Sequence, residues 1–304
     1  MAHKKIAIVG SSNTDMVIQS DHLPVPGETV IGNSFTMNAG GKGANQAVAA
    51  ARLGGDVMFA ARVGKDPFGE KAIEGFRKEN IDVRCITVDE ELPSGVALIL
   101  VDQKGENSIS VSLGANEALR PEHIMPLISA LEKGALILTQ LETPVDTVAH
   151  LARLAKDHDL KLVLNPAPAQ VLPSTILDGL FMITPNAIEA ELLSGIKVKD
   201  DKSAREAALA LKESGVQNVI ITMGGAGAYV LGEGLDERIP ATLTKVVDTT
   251  AAGDTFNGAL VVALNQGKTL RAAIELGHKA AAHAVGILGA QNSIPTIDDL
   301  NHPS

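Results

Sequence analysis

Short apolar runs alternate with helix-like segments along the whole chain, and few folds accommodate that rhythm. Ile6–Val9, Val57–Val63, Leu136–Leu141, Leu160–Leu164, Phe181–Thr184 and Val219–Met223 read as buried strands. Helical pattern separates them. Gly41–Leu53 is a small-residue helix stopped by Gly54 and Gly55, and Asp66-Pro67 offers a cap with Pro at the first helical position. This βαβ rhythm predicts an α/β fold, a doubly wound, mostly parallel Rossmann-like sheet flanked by helices, with ligands at the carboxyl ends of the strands. Of the 304 residues 45% are hydrophobic but only 2% aromatic, with no Trp and the single Tyr229. The core must therefore be Ala, Val, Ile and Leu, which suits a parallel sheet under Ala-rich helices.

Two segments break the rhythm. Thr14–Thr36 carries Pro24, Pro26 and Gly27 among β-branched residues, and Gly95–Leu113 reads as strands Val96–Val101 and Ser108–Leu113 around a turn at Gln103–Asn107. We expect residues 13–36 and 95–113 to pair as a small β-sheet lid on an α/β domain formed by residues 1–12, 37–94 and 114–304. Such a sheet beside a ligand site would exclude water during reaction. An exposed face on it would invite a second subunit, so a homodimer is expected. The alternative is a pair of surface hairpins that do not move.

A formal net charge of −10 disfavours nucleic acid or an anionic membrane as partner. One cysteine, Cys85, leaves no internal disulfide and no cysteine-based metal cluster. The first apolar run, Ile6–Val9, is too short for a signal segment, and no stretch approaches a membrane span. A cytoplasmic protein is expected.

The chemistry concentrates in Asp248–Gly258, where Ala251, Ala252 and Gly253 precede Asp254, which opens an apolar run. Small residues allow a sharp entry into a helix whose first N–H groups bind anions. A carboxylate beside an anion site makes sense if it takes a proton while negative charge develops, as when a hydroxyl attacks a phosphoryl group. The plain alternative is a helix cap. Asn13 and Asp15, two apart in an extended segment, share a face and could hold vicinal sugar hydroxyls, or simply belong to a polar loop. Ala39–Ala47 is a glycine-rich helix entry with Lys42 where the dipole disfavours a cation, so an anionic or polar partner is expected, and Asn45 projects from the first turn. Glu142 follows Gln140 at a strand end. Asn186 and Glu189 form either a capping box or a water-mediated hold on magnesium and phosphate. Thr222–Ala228 offers glycines to a nucleotide, or a hairpin. Gly267-Lys268-Thr269 looks like the end of a P-loop, but Val262 stands where the first glycine belongs.

Together these segments resemble the ribokinase family of carbohydrate kinases over essentially the whole chain. The Gly40–Gly64 block, with Asn45, Gly54 and Gly64 at the family spacing, and the Asp248–Val261 block carry the resemblance. It implies a ribokinase-like fold and ATP-dependent phosphorylation of D-ribose at O5. Asp254 matches the base, and Ala251, Ala252, Gly253 and Asp254 the anion hole. Asn13, Asp15, Gly41, Lys42, Gly43, Ala44, Asn45 and Glu142 match sugar-binding positions. Asn186, Thr222, Met223, Gly224, Gly225, Ala226, Gly227 and His278 match nucleotide-binding positions, and Glu189 the acidic residue linked to magnesium. Asp248, Thr250, Ala284, Ile287, Gly289 and Ser293 match an activating potassium site. Two positions depart from the common pattern: Ala187 stands where Glu is usual, and Ala251 where Gly is frequent.

The rival readings are a kinase for 2-deoxyribose, fructose or a nucleoside, and a sensor that binds sugar or nucleotide without catalysis. The aromatic shortage speaks against a nucleobase acceptor, and the Gly253-Asp254 pair against a sensor.

Overall fold

The computed structural model describes residues 4–302; residues 1–3 and 303–304 of the expected α/β domain lie outside them. The larger of its two sheets has nine strands. In spatial order these are β13 (Leu235–Ile239), β12 (Ala228–Gly232), β11 (Asn218–Thr222), β10 (Met182–Ile183), β9 (Lys161–Leu164), β8 (Leu136–Thr139), β1 (Ile6–Val9), β4 (Val57–Gly64) and β5 (Asp82–Asp89). The seven from β11 to β5 run parallel, and β12–β13 is an antiparallel hairpin on one edge. The order reverses at β1, which lies between β4 and β8, and that is where an open α/β sheet forms a ligand crevice.

Alternation along each strand feeds two cores. Ile6, Ile8, Phe59 and Leu138 face helices Lys42–Arg52, Ala252–Asn265 and Leu270–Ala284. Ala7, Val9, Met58 and Ile137 face the opposite layer, which includes Leu127, Leu151 and Leu211. A sheet buried on both sides needs apolar residues at successive positions, so the strands read as continuous runs.

The second sheet is small, in the order β3 (Ser34–Gly40), β2 (Asn13–Gln19), β6 (Gly95–Val101), β7 (Asn107–Ser112). The runs expected at 96–101 and 108–113 are its β6 and β7. Strand β3 passes Thr36 and continues to Gly40, so it leads through Gly41 directly into helix Lys42–Arg52. Gly41 has φ 90°, a left-handed conformation that favours glycine, and a Cβ there would lie 2.7 Å from Asn13 N.

Several strands end earlier than the segments expected for them. β8 stops at Thr139, because Leu141 N turns to Ala167 O. β10 is two residues long, against the four of Phe181–Thr184. The mixed segment Asp82–Asp89 carries no simple pattern, yet it closes the β5 edge of the sheet.

Helices Lys42–Arg52 and Ala252–Asn265 cross at Gly258, where Ala49 of the facing helix fills the space a side chain would take. A Cβ on Gly258 would lie 2.5 Å from Ala49 Cβ, 2.9 Å from Ala50 N and 3.0 Å from Gln46 O. None of those atoms can rotate away. We predict that Gly258→Ala lowers stability by about 1–3 kcal/mol, although alanine has the better helix propensity by about 1 kcal/mol. Thermal denaturation checks this; an unchanged or raised Tm would show that the helices separate freely.

Candidate active site

The site lies at the carboxyl ends of the parallel strands, where loops after β1, β8, β9, β10 and β11 converge on the amino end of helix Ala252–Asn265. Ala251 precedes that helix at φ 59°, left-handed for a non-glycine residue, at a cost of about 1–2 kcal/mol. The sharp entry turns the first helical N–H groups outward. Ala252 N reaches Thr249 O at 3.2 Å, while Gly253 and Asp254 N–H have no acceptor among the described residues.

Asp254 does not cap its helix. Its carboxylate is buried and accepts from Asn45 Nδ2 at 3.0 Å on Oδ2 and from Gln46 Nε2 at 2.9 Å on Oδ1. Burial pushes it above the usual carboxylate range; Lys42, Asn45 and Gln46 oppose that shift, and Glu142 adds to it. Asn45 Oδ1 is buried without a partner among the described residues.

Asn13 and Asp15 share one face of β2, opposite Gly95 and Ala97 of β6 and Gly40 and Asn38 of β3. Asn13 Oδ1 accepts from Asn116 Nδ2 at 2.9 Å. Asp15 is raised to about 6 by burial, with Glu142 and Asp254 adding and Lys42 opposing. Glu142 Oε2 accepts from Ser11 Oγ at 2.6 Å and Lys42 N at 3.0 Å, so it caps the helix that Gly43 and Ala44 continue. The Lys42 ammonium is held above its ordinary range: burial works against the charge but is outweighed by Asp254, Glu142, Glu189 and Asp15. The anionic surroundings anticipated for Lys42 are thus these four carboxylates.

Asn186 and Glu189 do form a capping box. Glu189 N donates to Asn186 Oδ1 at 2.9 Å and Asn186 N to Glu189 Oε2 at 2.8 Å. The box does not remove Glu189 from the site, because a cavity of about 220 Å³ is lined by Lys42, Asn186, Glu189 and Ala251 to Asp254. An adjoining cavity of about 320 Å³ is lined by Thr222, Gly224, Gly225, Gly227, Phe256 and His278, with Leu243 and Val246 on its apolar side. The two share Thr222, Thr249, Ala252 and Gly253. Met223 and Ala226 belong to the same turn but line neither cavity. His278 Nδ1 is buried without a partner, and burial lowers its ring below the ordinary histidine range. A larger depression of about 740 Å³, beside His150, Arg153 and Lys156, shares no residue with either cavity.

Behind the same loop, Asp248 Oδ1 accepts from Thr250 N and Oγ1, and Oδ2 from Gly289 N at 2.9 Å. Burial works to raise this carboxyl, yet those hydrogen bonds hold it low. Val247 N and Asp248 N both reach Val285 O, which sets the carboxylate beside the carboxyl end of helix Leu270–Ala284. Ala284 and Ser293 are buried and Ile287 is exposed on the following loop. The described residues hold no group of three or more His, Cys, Asp and Glu side chains suited to a metal, and none of their helices is long and apolar enough to cross a membrane.

Sequence reasoning passed over Gln46, Asn165, Thr184 and Asn257, which form a buried polar layer beneath Asp254. Their only signal was a polar side chain, an amide or in Thr184 a hydroxyl, within an otherwise apolar helix or strand end.

Residues 3–297 match the pfkB family carbohydrate kinase model. A ribokinase of Haemophilus influenzae is 43% identical, over 96% of each chain. The ribokinase structure of Thermotoga maritima superposes with a TM-score of 0.89 at 37% identity, covering 98% of both chains. That of Arabidopsis thaliana, complexed with ribose and ATP, superposes at 0.91 with 27% identity, covering 99% and 98%. The chain belongs to the pfkB family of carbohydrate kinases.

The Asp15 shift has a consequence for stability. Its folded pKa of about 6 lies above the ordinary 3.8, so the folded state binds more protons between those values. The stability it contributes is present below about pH 4 and is lost as pH rises through 6. Asp15→Asn should therefore be more stable than the parent at pH 7, by on the order of 1–3 kcal/mol, with the difference vanishing toward pH 4. Melting curves from pH 4 to 7 measure this, and a variant less stable at pH 7 contradicts it.

Proposed function

We propose that this chain is a ribokinase, transferring the γ-phosphoryl group of ATP to O5 of D-ribose. One observation carries the reading: a buried carboxylate, Asp254, stands in the first turn of a helix whose free N–H groups open onto the junction of two cavities. Kinship to ribokinases supports the choice of sugar and nucleotide. The sugar lies against Asn13, Asp15, Gly41 to Asn45 and Glu142. Asp15 accepts from two neighbouring hydroxyls, and Asn45 Oδ1, unpartnered among the described residues, accepts from a hydroxyl of the sugar. The nucleotide lies along Thr222 to Gly227 with His278 and Asn186, its base over the apolar wall at Leu243 and Val246.

Asp254 takes the proton of the O5 hydroxyl as O5 attacks phosphorus in line and ADP leaves. The N–H groups of Ala251 to Asp254 form the anion hole, and those of Gly253 and Asp254 are already free to receive the transferred oxygens. Lys42 counters the charge gathered around them. Magnesium fits beside Glu189, whose Oε1 the capping box leaves free; it would be held through phosphate oxygens and water and would neutralise phosphate charge. Potassium fits Asp248 with carbonyls of Thr250, Ala284, Ile287 and Gly289 and with Ser293, because a carboxylate at the negative end of a helix calls for a cation. Such an ion would order the loop that carries the anion hole.

Residues 13–36 and 95–113 act as a lid, whose site-facing side bears Asp15 and Ala97. Its other face leaves Ile18, Phe35, Met37 and Leu98 exposed by 38 to 58%. That apolar face suits a homodimer, and a cytoplasmic enzyme accords with the absence of a membrane-crossing helix among the described residues. Sedimentation at micromolar concentration should give a dimer that Leu98→Glu weakens; a parent chain that sediments as a monomer refutes the pairing.

A positioned base contributes on the order of 10²–10⁴-fold. Asp254→Asn should fold normally and lose at least that much turnover in an ADP-release assay over ribose, 2-deoxyribose and fructose, with and without potassium. Near-normal turnover would sink the role of Asp254, and ribose binding without ADP release by the parent enzyme would make it a sensor.

A further inference from the structure

The amide of Gln46 sits where the two helices cross and belongs to neither ligand pocket. It is fully buried. Its Nε2 donates to Asp254 Oδ1 at 2.9 Å and to Asn165 Oδ1 at 3.0 Å, and its Oε1 accepts from Gln140 Nε2 at 2.6 Å. An ionised carboxylate only accepts, so the amide can stand just one way round. The path continues from Asn165 Nδ2 to Thr184 O at 3.3 Å, from Thr184 Oγ1 to Asn257 Oδ1 at 2.7 Å, and from Asn257 Nδ2 to Gly253 O at 2.8 Å. It thus returns to the residue directly before Asp254.

We propose that Gln46 is a positioning residue for phosphoryl transfer, holding the Oδ1 edge of Asp254 so that Oδ2 and Asn45 face the acceptor hydroxyl, and tying that base through Asn165, Thr184 and Asn257 to Gly253 of the anion hole. The proposal rests on the reading of Asp254 as base. Three features carry it. Gln46 meets the carboxylate on the oxygen that Asn45 leaves. The bond lies in a buried site, where it is stronger than in water and where a lost partner is costly. The network spans both groups whose separation decides in-line geometry, and misplacing such groups by about 1 Å costs on the order of 10²-fold.

The network also bears on the charge state of the base. Facing Asp254 are Lys42 from its helix, Asp15 from β2, Glu142 after β8 and Glu189 from helix Ala187–Ser194. Only Lys42 is cationic, so amide donors supply the rest of what keeps the carboxylate ionised against burial. Removing one donor makes the base harder to ionise.

The test is Gln46→Met, which keeps length and burial and removes the donor. The pH profile of kcat/KM is measured with D-ribose and ATP beside the parent and Asp254→Asn. We expect kcat to fall about 10- to 100-fold, KM for ribose to change less than about threefold, and the acidic limb to move up by about one pH unit. An unchanged limb with unchanged kcat, or a rise in KM alone, overturns the proposal. If Gln46→Met does not fold, Gln46→Glu replaces it: that variant keeps the contact to Gln140 and turns the donor into an acid, and its limb must also move up. Near-normal turnover of Asp254→Asn would instead refute the base itself, whatever Gln46 does, so the two failures are distinct.

Discussion

The close crossing of helices Lys42–Arg52 and Ala252–Asn265 is the constraint on which the rest of this site depends. The missing side chain at Gly258 lets its helix come up against Gln46, Ala49 and Ala50 of the facing one. One turn away, that approach puts Asn45 and Gln46 within hydrogen-bond distance of Asp254. A wider crossing would leave a buried carboxylate without donors, which is among the costliest arrangements a protein interior can hold. The helices are Ala-rich for the same reason: small residues on facing surfaces bring polar groups into register across a dry interface.

Electrostatics then divides the crevice. Asp15, Glu142, Glu189 and Asp254 surround one ammonium, Lys42, in a chain whose overall charge is already −10. The balance is uneven: burial raises Asp15 and Asp254, while hydrogen bonds hold Asp248 low behind the loop. Side-chain cations are scarce in this crevice, and the free N–H groups of Gly253 and Asp254 add positive potential at the amino end of helix Ala252–Asn265.

The small sheet is joined to this machinery with almost no slack. Strand β3 runs through Gly40 and Gly41 into the helix that bears Lys42, Asn45 and Gln46, and Asp15 packs against Gly40 from the neighbouring strand. The sheet thus meets the amino end of the helix where Glu142 and Ser11 hold the first turn.

Much of the fold was legible in the chain because its signals are local. Ile6–Val9 and Val57–Ala61 are apolar at successive positions, as a doubly covered strand must be, and Asp66-Pro67 caps its helix within four residues of sequence. Where a strand ends was less legible: β8 stops at Thr139, short of the expected Leu141, because Leu141 answers to Ala167. The family blocks also held Asn45, Asp248 and Asp254, polar residue types suited to sugar binding, ion binding and proton transfer, and Glu189 was legible from its spacing to Asn186. The sequence by itself thus determined the layered α/β architecture, the glycine-rich helix entries and the identity of the polar side chains available. Only the tertiary structure decided which of them meet. Asp254 lies 208 residues from Gln46, and Gln46 lies 119 from Asn165. No periodicity or spacing encodes such pairings, because they arise where two packed helices meet the ends of β8, β9 and β10.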